Sequence, residues 1–362
     1  YIQEYPVSSR LRVITFRFSV SILFIILSDS ILSLLIAWDL LGLSSYFLVI
    51  HYLSPSSNPN SKITLYTNRV GDLFFILVLF SSLILSSLYS SSSFYYISLR
   101  SFSVLIILFT ALTKSAQFPF SCWLPQAISA PTPVSSLVHS STLVTGGYFF
   151  LLYTIYSFPS YLLTLLQAMA AISLCLSAIF ALSTSDAKKL IAYSTISQIR
   201  ILIYSLSLSI IGPSVLHIIS HAFFKSSLFI LVGSCFTTSY ASQDYRYLSG
   251  SLNRLSSSLL ICFTSLFGCL FISGLFSKEI ILLSIDMSGS CFHLSVFFLS
   301  VLTTLAYTLR LITLLVGSNV SIHQSLIPSF LILRPALLPL FFAITSHIFT
   351  HSALFPSIPP HN

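Results

Sequence analysis

An all-α polytopic membrane protein of about 11 transmembrane helices, built as two inverted five-helix repeats with broken helices, is the fold class the sequence predicts. Three observations predict it. Of 362 residues, 55% are hydrophobic and only 7% charged, with a mean hydropathy of +0.95, where soluble domains carry roughly 25% charged residues. Apolar runs near the ~20 residues that cross a bilayer follow one another through short connectors. Two of these runs are interrupted by proline or glycine beside a lysine and lie five spans apart, so they run in opposite directions, as inverted repeats require.

The spans read as 13–29, 31–53, 71–90, 102–124, 134–156, 160–183, 187–211, 214–236, 257–284, 292–317 and 328–350. Connectors carry turn chemistry: "SPSSNPNS" at 54–61, "GP" at 212–213 and "SGS" at 288–290, with a serine-rich loop at 86–94. The layout is an N-terminal segment 1–12, a first five-helix repeat 13–156, a second, inverted repeat 160–317, and a C-terminal segment 318–362 with a further span. The chain begins at Tyr1 rather than Met, so a processed or truncated start is expected; no signal or transit peptide pattern is visible.

Loop charge orients the chain. Taking alternate sides, Arg10, Arg12, Arg17, Lys62, Arg69, Lys188, Lys189, Arg246 and Arg254 fall on one side and only Arg100 on the other. That asymmetry puts the first side in the cytoplasm or mitochondrial matrix. The net charge of +8 is therefore a topology signal, and no basic patch with interleaved aromatics points to nucleic acid. The six cysteines show no CxxC spacing and mostly sit in apolar runs, as small buried hydrophobes do.

Charged residues remain inside the spans: Asp39, Lys114, Arg200, Lys225, Lys278, Glu279 and Arg310, joined by His139, His217 and His221. Buried ionisable groups are costly in a bilayer and mark ion pathways or proton relays; a set of structural ion pairs is the competing reading. Asp39, in "IAWDLLGLSSYF", is the expected counter-charge for Lys114, in "FTALTKSAQFPFSCWLPQ". Lysine suits a proton site because burial shifts its pKa readily, which arginine resists. "HIISHAFFK" sets His217, His221 and Lys225 at i, i+4 and i+8, one helical stripe. The stripe fits a hydrated relay or, alternatively, two metal ligands lacking a third. His139 reads equally as a structural histidine. In "GCLFISGLFSKEII", Gly268 and Gly274 loosen a helix just before Lys278 and Glu279, and breaks of this kind are tolerated where protein or water satisfies the freed backbone.

"TKSAQFPFSCWLPQAISAPTPVSSLVHSSTLVTGGYF" resembles the antiporter-like membrane chains of respiratory complex I (NADH dehydrogenase), the subunit 5 group above all. "AWDLLGLSSYFLVIHY", "NRVGD", "SDAKKLIAYSTISQI", "HIISHAFFKSSLFILVGS", "SQDYRYLSG" and "GLFSKEIIL" follow in the family's order. The resemblance implies a proton-translocating subunit of NADH:ubiquinone reductase in the mitochondrial inner membrane, beside the antiporter-like chain 4, other membrane-arm subunits and lipid. It implies that NADH, FMN, iron–sulfur clusters and ubiquinone belong to other chains, and this sequence has no Gly-rich dinucleotide fingerprint. Lys114 corresponds to the family's lysine in the first broken helix and Asp39 to its acidic partner, often glutamate. Arg69 and Asp72 match a charged pair near a subunit contact; His139, His217, His221 and Lys225 match the polar axis; Lys278 and Glu279 match the terminal lysine–acid pair.

There are departures from the family pattern. Relatives have further helices before the segment resembling 13–29 and a long lateral helix at the end. The proline usual before the second broken helix is missing, and Arg200 stands where a small residue is usual. Two other functions stay open on the sequence: a subunit of a multisubunit cation/proton antiporter, and a degenerate membrane scaffold that no longer pumps.

Overall fold

A bilayer offers no water to backbone amides, so the apolar chain must satisfy them within each segment, and the described residues are helices joined by short turns. The computed structural model describes residues 8–28, 30–52, 55, 57–88, 94–138, 142–238, 244, 256–268, 273–287 and 289–316. The expected span at 328–350, the segment 318–362, His139, Cys269, Arg246 and Arg254 lie outside the described residues. The chain divides into two compact units, Tyr1–Leu174 and Cys175–Asn362.

The first unit begins with α1 (Ser8–Ile26), α2 (Ile31–Val49) and α3 (Ser57–Leu88). A reciprocal capping box opens α2: Ser33 N donates to Ser30 Oγ at 3.1 Å and Ser30 N to Ser33 Oγ at 3.3 Å. At 32 residues α3 is longer than its apolar run, and at 1.5 Å per residue it reaches about 48 Å. The sequence places Arg69 in a loop; it lies instead well inside α3. The helix extends past the apolar run because Asn68 and Asp72 are buried on its inner face, against 2% and 6% exposure, so polar residues there have protein partners rather than lipid.

Next comes α4 (Phe94–Lys114), which stops at the lysine. Ala116 takes a left-handed φ of 51°, a 3-10 turn covers Phe120–Cys122, and two short helices follow, α5 (Trp123–Ala127) and α6 (Thr132–Leu137), before α7 (Leu143–Thr154). Pro119 and Pro125 have no amide hydrogen to continue a helix. The break at 115–125 is therefore real, and one carbonyl it frees, Thr113 O, accepts from Trp123 Nε1 at 3.0 Å. The α4–α7 contact is close because Gly147 has no side chain: a Cβ there would lie 2.7 Å from Ala111 O and 2.8 Å from Ser115 N.

The unit boundary falls inside α8 (Ser160–Ser183). The second unit continues with α9 (Ala187–Ser207), α10 (Ile211–Thr238), α11 (Ser256–Phe267), α12 (Ser273–Asp286) and α13 (Cys291–Val316). Gly212 and Pro213, read as connector, form the first turn of α10, where a missing amide hydrogen costs nothing. Helix α11 ends at Phe267, Gly268 turns left-handed at φ 89°, and helix resumes at Ser273. The core packs Phe224, Leu228, Phe263, Leu266, Tyr307 and Leu311 from α10, α11 and α13.

Five helices, α2, α3, α8, α10 and α13, are each long and apolar enough to cross a membrane. Their outer faces expose large hydrophobes such as Leu32, Leu77, Phe80, Ile179 and Leu302, while Ser81, His217, Ser220, His221, Lys225 and Ser300 are buried. Most buried serines donate to the carbonyl three residues back, as Ser194 does to Ile191 O at 2.7 Å, leaving their lone pairs free to accept from other groups.

Candidate functional site

In the first unit the site grows around Lys114, the last residue of α4, whose side chain is 1% exposed. Its Nζ donates to the backbone oxygen of Trp38 at 3.2 Å and lies 5.1 Å from the centre of the Trp38 ring. A carbonyl has two lone pairs, so Trp38 O accepts this bond besides its helical one. Gly42 makes room, since a Cβ there would stand 3.2 Å from Lys114 Nζ.

The acidic partner differs from the expectation. Among the described residues Asp39 forms no ion pair with Lys114; its Oδ2 takes Arg69 Nη1 at 3.3 Å. Adjacent helix positions point about 100° apart, and Trp38, not Asp39, faces the lysine. Arg69 Nη1 also reaches Asp72 Oδ2 at 3.5 Å, so the pair read from "NRVGD" forms, with Asp39 as a third member. Asp72 is the stronger electrostatic neighbour of Lys114 and Asp39 the weaker. The Asp72 side chain is 8% exposed against 36% for Asp39, and Asp72 Oδ1 is buried without a hydrogen bond. A recess of about 200 Å³ opens on Trp38, Asp39, Arg69 and Asp72.

In the second unit, α10 carries His217, His221 and Lys225, all fully buried. Lys225 Nζ donates to Ser194 Oγ on α9. His221 stands edge-on to Phe224, ring centres 5.3 Å apart, and among the described residues neither ring nitrogen has a hydrogen-bond partner. His217 is bonded at both nitrogens: Nε2 to Gln198 Oε1 at 3.2 Å and Nδ1 to Ser277 Oγ at 2.8 Å. Gln198 Nε2 donates to Tyr307 OH at 3.3 Å, which fixes Oε1 as the acceptor facing the histidine. Tyr307 OH also bonds Ser197 Oγ at 3.2 Å.

Lys278, on α12 and 5% exposed, donates to Leu266 O at 2.7 Å and Phe267 O at 3.0 Å. Glu279, the adjacent position, is exposed. His139 lies outside the described residues. Among the described residues no group of three His, Cys, Asp or Glu side chains is placed to hold a metal ion.

Sequence reasoning misses Trp38, Ser194, Gln198, Ser277 and Tyr307. Ser194 and Gln198 stand in "SDAKKLIAYSTISQI", at four-residue spacing on one face of α9, which was the available signal. A main-chain acceptor such as Trp38 O leaves none.

Chemically, these are ammonium and imidazole groups in the buried interior, with Lys114 and Lys225 donating to a main-chain oxygen and a hydroxyl.

The sequence pattern described as "NADH:quinone oxidoreductase/Mrp antiporter, TM" matches residues 28–305. The chain is 40% identical over 289 residues to NADH-ubiquinone oxidoreductase chain 5 of Caenorhabditis elegans, covering 78% of this chain and 54% of the relative. It is 41% identical over 302 residues to the chain 5 of Ascaris suum, covering 79% and 53%. The chain thus spans about half the length of the curated relatives it matches. Among solved structures, the archaeal membrane-bound sulfane sulfur reductase superposes with a TM-score of 0.85 at 20% identity, covering 96% of this chain and 75% of that one. The Mrp complex from Dietzia sp. DQ12-45-1b gives 0.69 at 22%, covering 96% and 46%. These two likenesses show the fold, and with the sequence pattern running through both units, the chain belongs to the NADH:quinone oxidoreductase/Mrp antiporter transmembrane family.

Proposed function

We propose that the chain is a proton-translocating membrane-arm subunit of respiratory complex I, working in the mitochondrial inner membrane. The observation that carries the reading is the burial of Lys114, Lys225 and Lys278, each donating to a hydroxyl or to main-chain oxygens. The similarity to animal NADH-ubiquinone oxidoreductase chains 5 supports the placement in that complex. The redox reaction, with NADH, FMN, iron–sulfur clusters and ubiquinone, belongs to other subunits; this chain carries no redox centre. Its neighbours are other membrane-arm subunits, chain 4 in particular, and lipid.

Lys114 is the input station, Lys225 the central one and Lys278, beside Glu279, the output. His217 and His221 hand protons along the polar axis, with His139 in the same role. Asp39, Arg69 and Asp72 set the field around Lys114. Each proton carried against 100 mV requires ~2.3 kcal/mol, so affinities at these stations must switch with the redox cycle.

A second reading, a subunit of a cation/proton antiporter without redox coupling, draws on the likeness to the Mrp complex. One purification separates the two. Affinity capture of this chain from mild-detergent extracts is expected to bring down flavin and rotenone-sensitive NADH:ubiquinone reductase activity. Capture with no flavin, together with sodium/proton exchange in vesicles, would favour the antiporter.

A further inference from the structure

Helices α9 and α13 meet along a polar seam with two hydrogen-bonded ends. At the inner end Tyr307 OH on α13 bonds Ser197 Oγ and Gln198 Nε2 on α9, and Gln198 continues to His217. At the other end Tyr204 OH on α9 meets His293 Nδ1 on α13 at 2.7 Å. Tyr204 is buried and His293 half-exposed. This second end adjoins the connectors after Ser207 and before Cys291, on the side opposite the basic loops by the charge asymmetry of the chain. Ser197 and Tyr204 are seven residues apart, about 10 Å along the helix.

Arg200 fills that interval. It follows Ser197 by three positions and precedes Tyr204 by four, so it shares their stripe. On α13 the corresponding stripe runs His293, Ser300, Tyr307 at seven-residue spacing, and Ser300 is 1% exposed. Arg200 is 2% exposed, and among the described residues its Nε and Nη1 are buried with no hydrogen-bond partner. A guanidinium is protonated at any working pH. Unlike the lysines, it cannot release and rebind a proton, so it is no station.

We propose that Arg200 is an electrostatic plug: a fixed positive charge that stops protons escaping from the His217–Gln198–Tyr307 cluster along the α9–α13 seam to Tyr204 and His293. Without the charge, the seam would be a run of hydroxyl, amide and imidazole groups from the buried relay to the membrane surface, and water entering beside Ser300 would complete a wire. A cation at the midpoint repels an excess proton there, as charged constrictions in selective pores do. The inference rests on the proton-translocating reading of the buried cluster.

The test uses the assembled complex in sealed vesicles without NADH. A step of external pH is applied, and its collapse is followed with an internal pH dye. Arg200→Gln and Arg200→Met should collapse the gradient about tenfold faster or more, because a like-charge barrier has been removed. Arg200→Lys, a buried amine that can release its proton, should leak more than the parent and less than the neutral variants, and adding His293→Ala to Arg200→Gln should slow the leak again. Neutral variants as tight as the parent would overturn the proposal. So would a leak that His293→Ala leaves unchanged, and so would failure of both neutral variants to assemble while the lysine variant assembles, which would assign the charge to folding. Proton uptake by the parent vesicles on adding NADH is read separately, so a failure of the pumping reading is told apart from a failure of the plug.

Discussion

The ammonium of Lys278 closes the helix that precedes its own: Nζ lies 2.7 Å from Leu266 O and 3.0 Å from Phe267 O, the last two residues of α11. A helix end leaves four carbonyls without partners, and a cation there also meets the negative end of the helix dipole. In the proposed relay, the group that exchanges protons and the clamp on the broken helix are the same atom. Deprotonation weakens the clamp, which gives charge a direct route to helix geometry. Lys278→Met keeps the apolar stem and removes the donor. It should lower the unfolding free energy by about 1–3 kcal/mol, read as an earlier thermal transition of the assembled complex, along with loss of pumping. An unchanged transition would mean that other groups cap α11.

Asp72 and Asp39 share Arg69 but not their surroundings. The buried carboxylate acts through less solvent screening than the 36% exposed one. Asp72→Asn should therefore reduce coupled proton transport more than Asp39→Asn, by about tenfold against a few-fold. Parallel transport assays on the two variants decide this, and the opposite order would return Asp39 to the first place the sequence gives it.

Gly147 holds α7 against α4 at the point where α4 breaks. Its would-be Cβ meets backbone atoms of Ala111 and Ser115, which cannot swing aside as a flexible side chain would. Gly147→Ala is expected to destabilise the unit by about 1–3 kcal/mol, measured by thermal or proteolytic unfolding. A neutral result would show that the two helices separate freely.

Tyr307 links Ser197 to Gln198, and through it His217. Tyr307→Phe fills the same space without the hydroxyl. Assembly should be retained and transport slowed several-fold, in keeping with the loss of about 1–2 kcal/mol of hydrogen bonding. Parent rates in this variant would take Tyr307 off the relay.

Much of this organisation is legible in the sequence because hydrophobicity and helix breaking are local properties. Apolar runs give the spans, Pro119, Pro125 and Gly268 mark the interruptions, and Lys114, Lys225 and Lys278 stand out against lipid. What escapes is set by packing. Whether α2 turns Trp38 or Asp39 toward Lys114 depends on a rotation of one position, which periodicity cannot fix while apolar residues surround the helix on most sides. Arg69 resembles a loop charge because the apolar run begins after it, yet its ion pairs with Asp39 and the buried Asp72 hold it in α3. The acceptors for Lys114 and Lys278 are main-chain oxygens, which have no counterpart in residue type. The proline usual before the second break is missing, yet α11 ends where Gly268 enters the left-handed region.

Lys225 gives the most direct test of the relay. It is fully buried and bonded to Ser194, and a relay through it requires a group that releases its proton. Lys225→Arg keeps the charge and the reach but holds the proton too tightly. The measurement is the number of protons pumped per electron transferred in the reconstituted complex, compared for the parent, Lys225→Ala and Lys225→Arg. A relay through Lys225 requires both variants to assemble and oxidise NADH while the proton-to-electron ratio falls. A parent ratio in the arginine variant would contradict it, leaving Lys225 as an electrostatic fixture and Lys114 without a central relay.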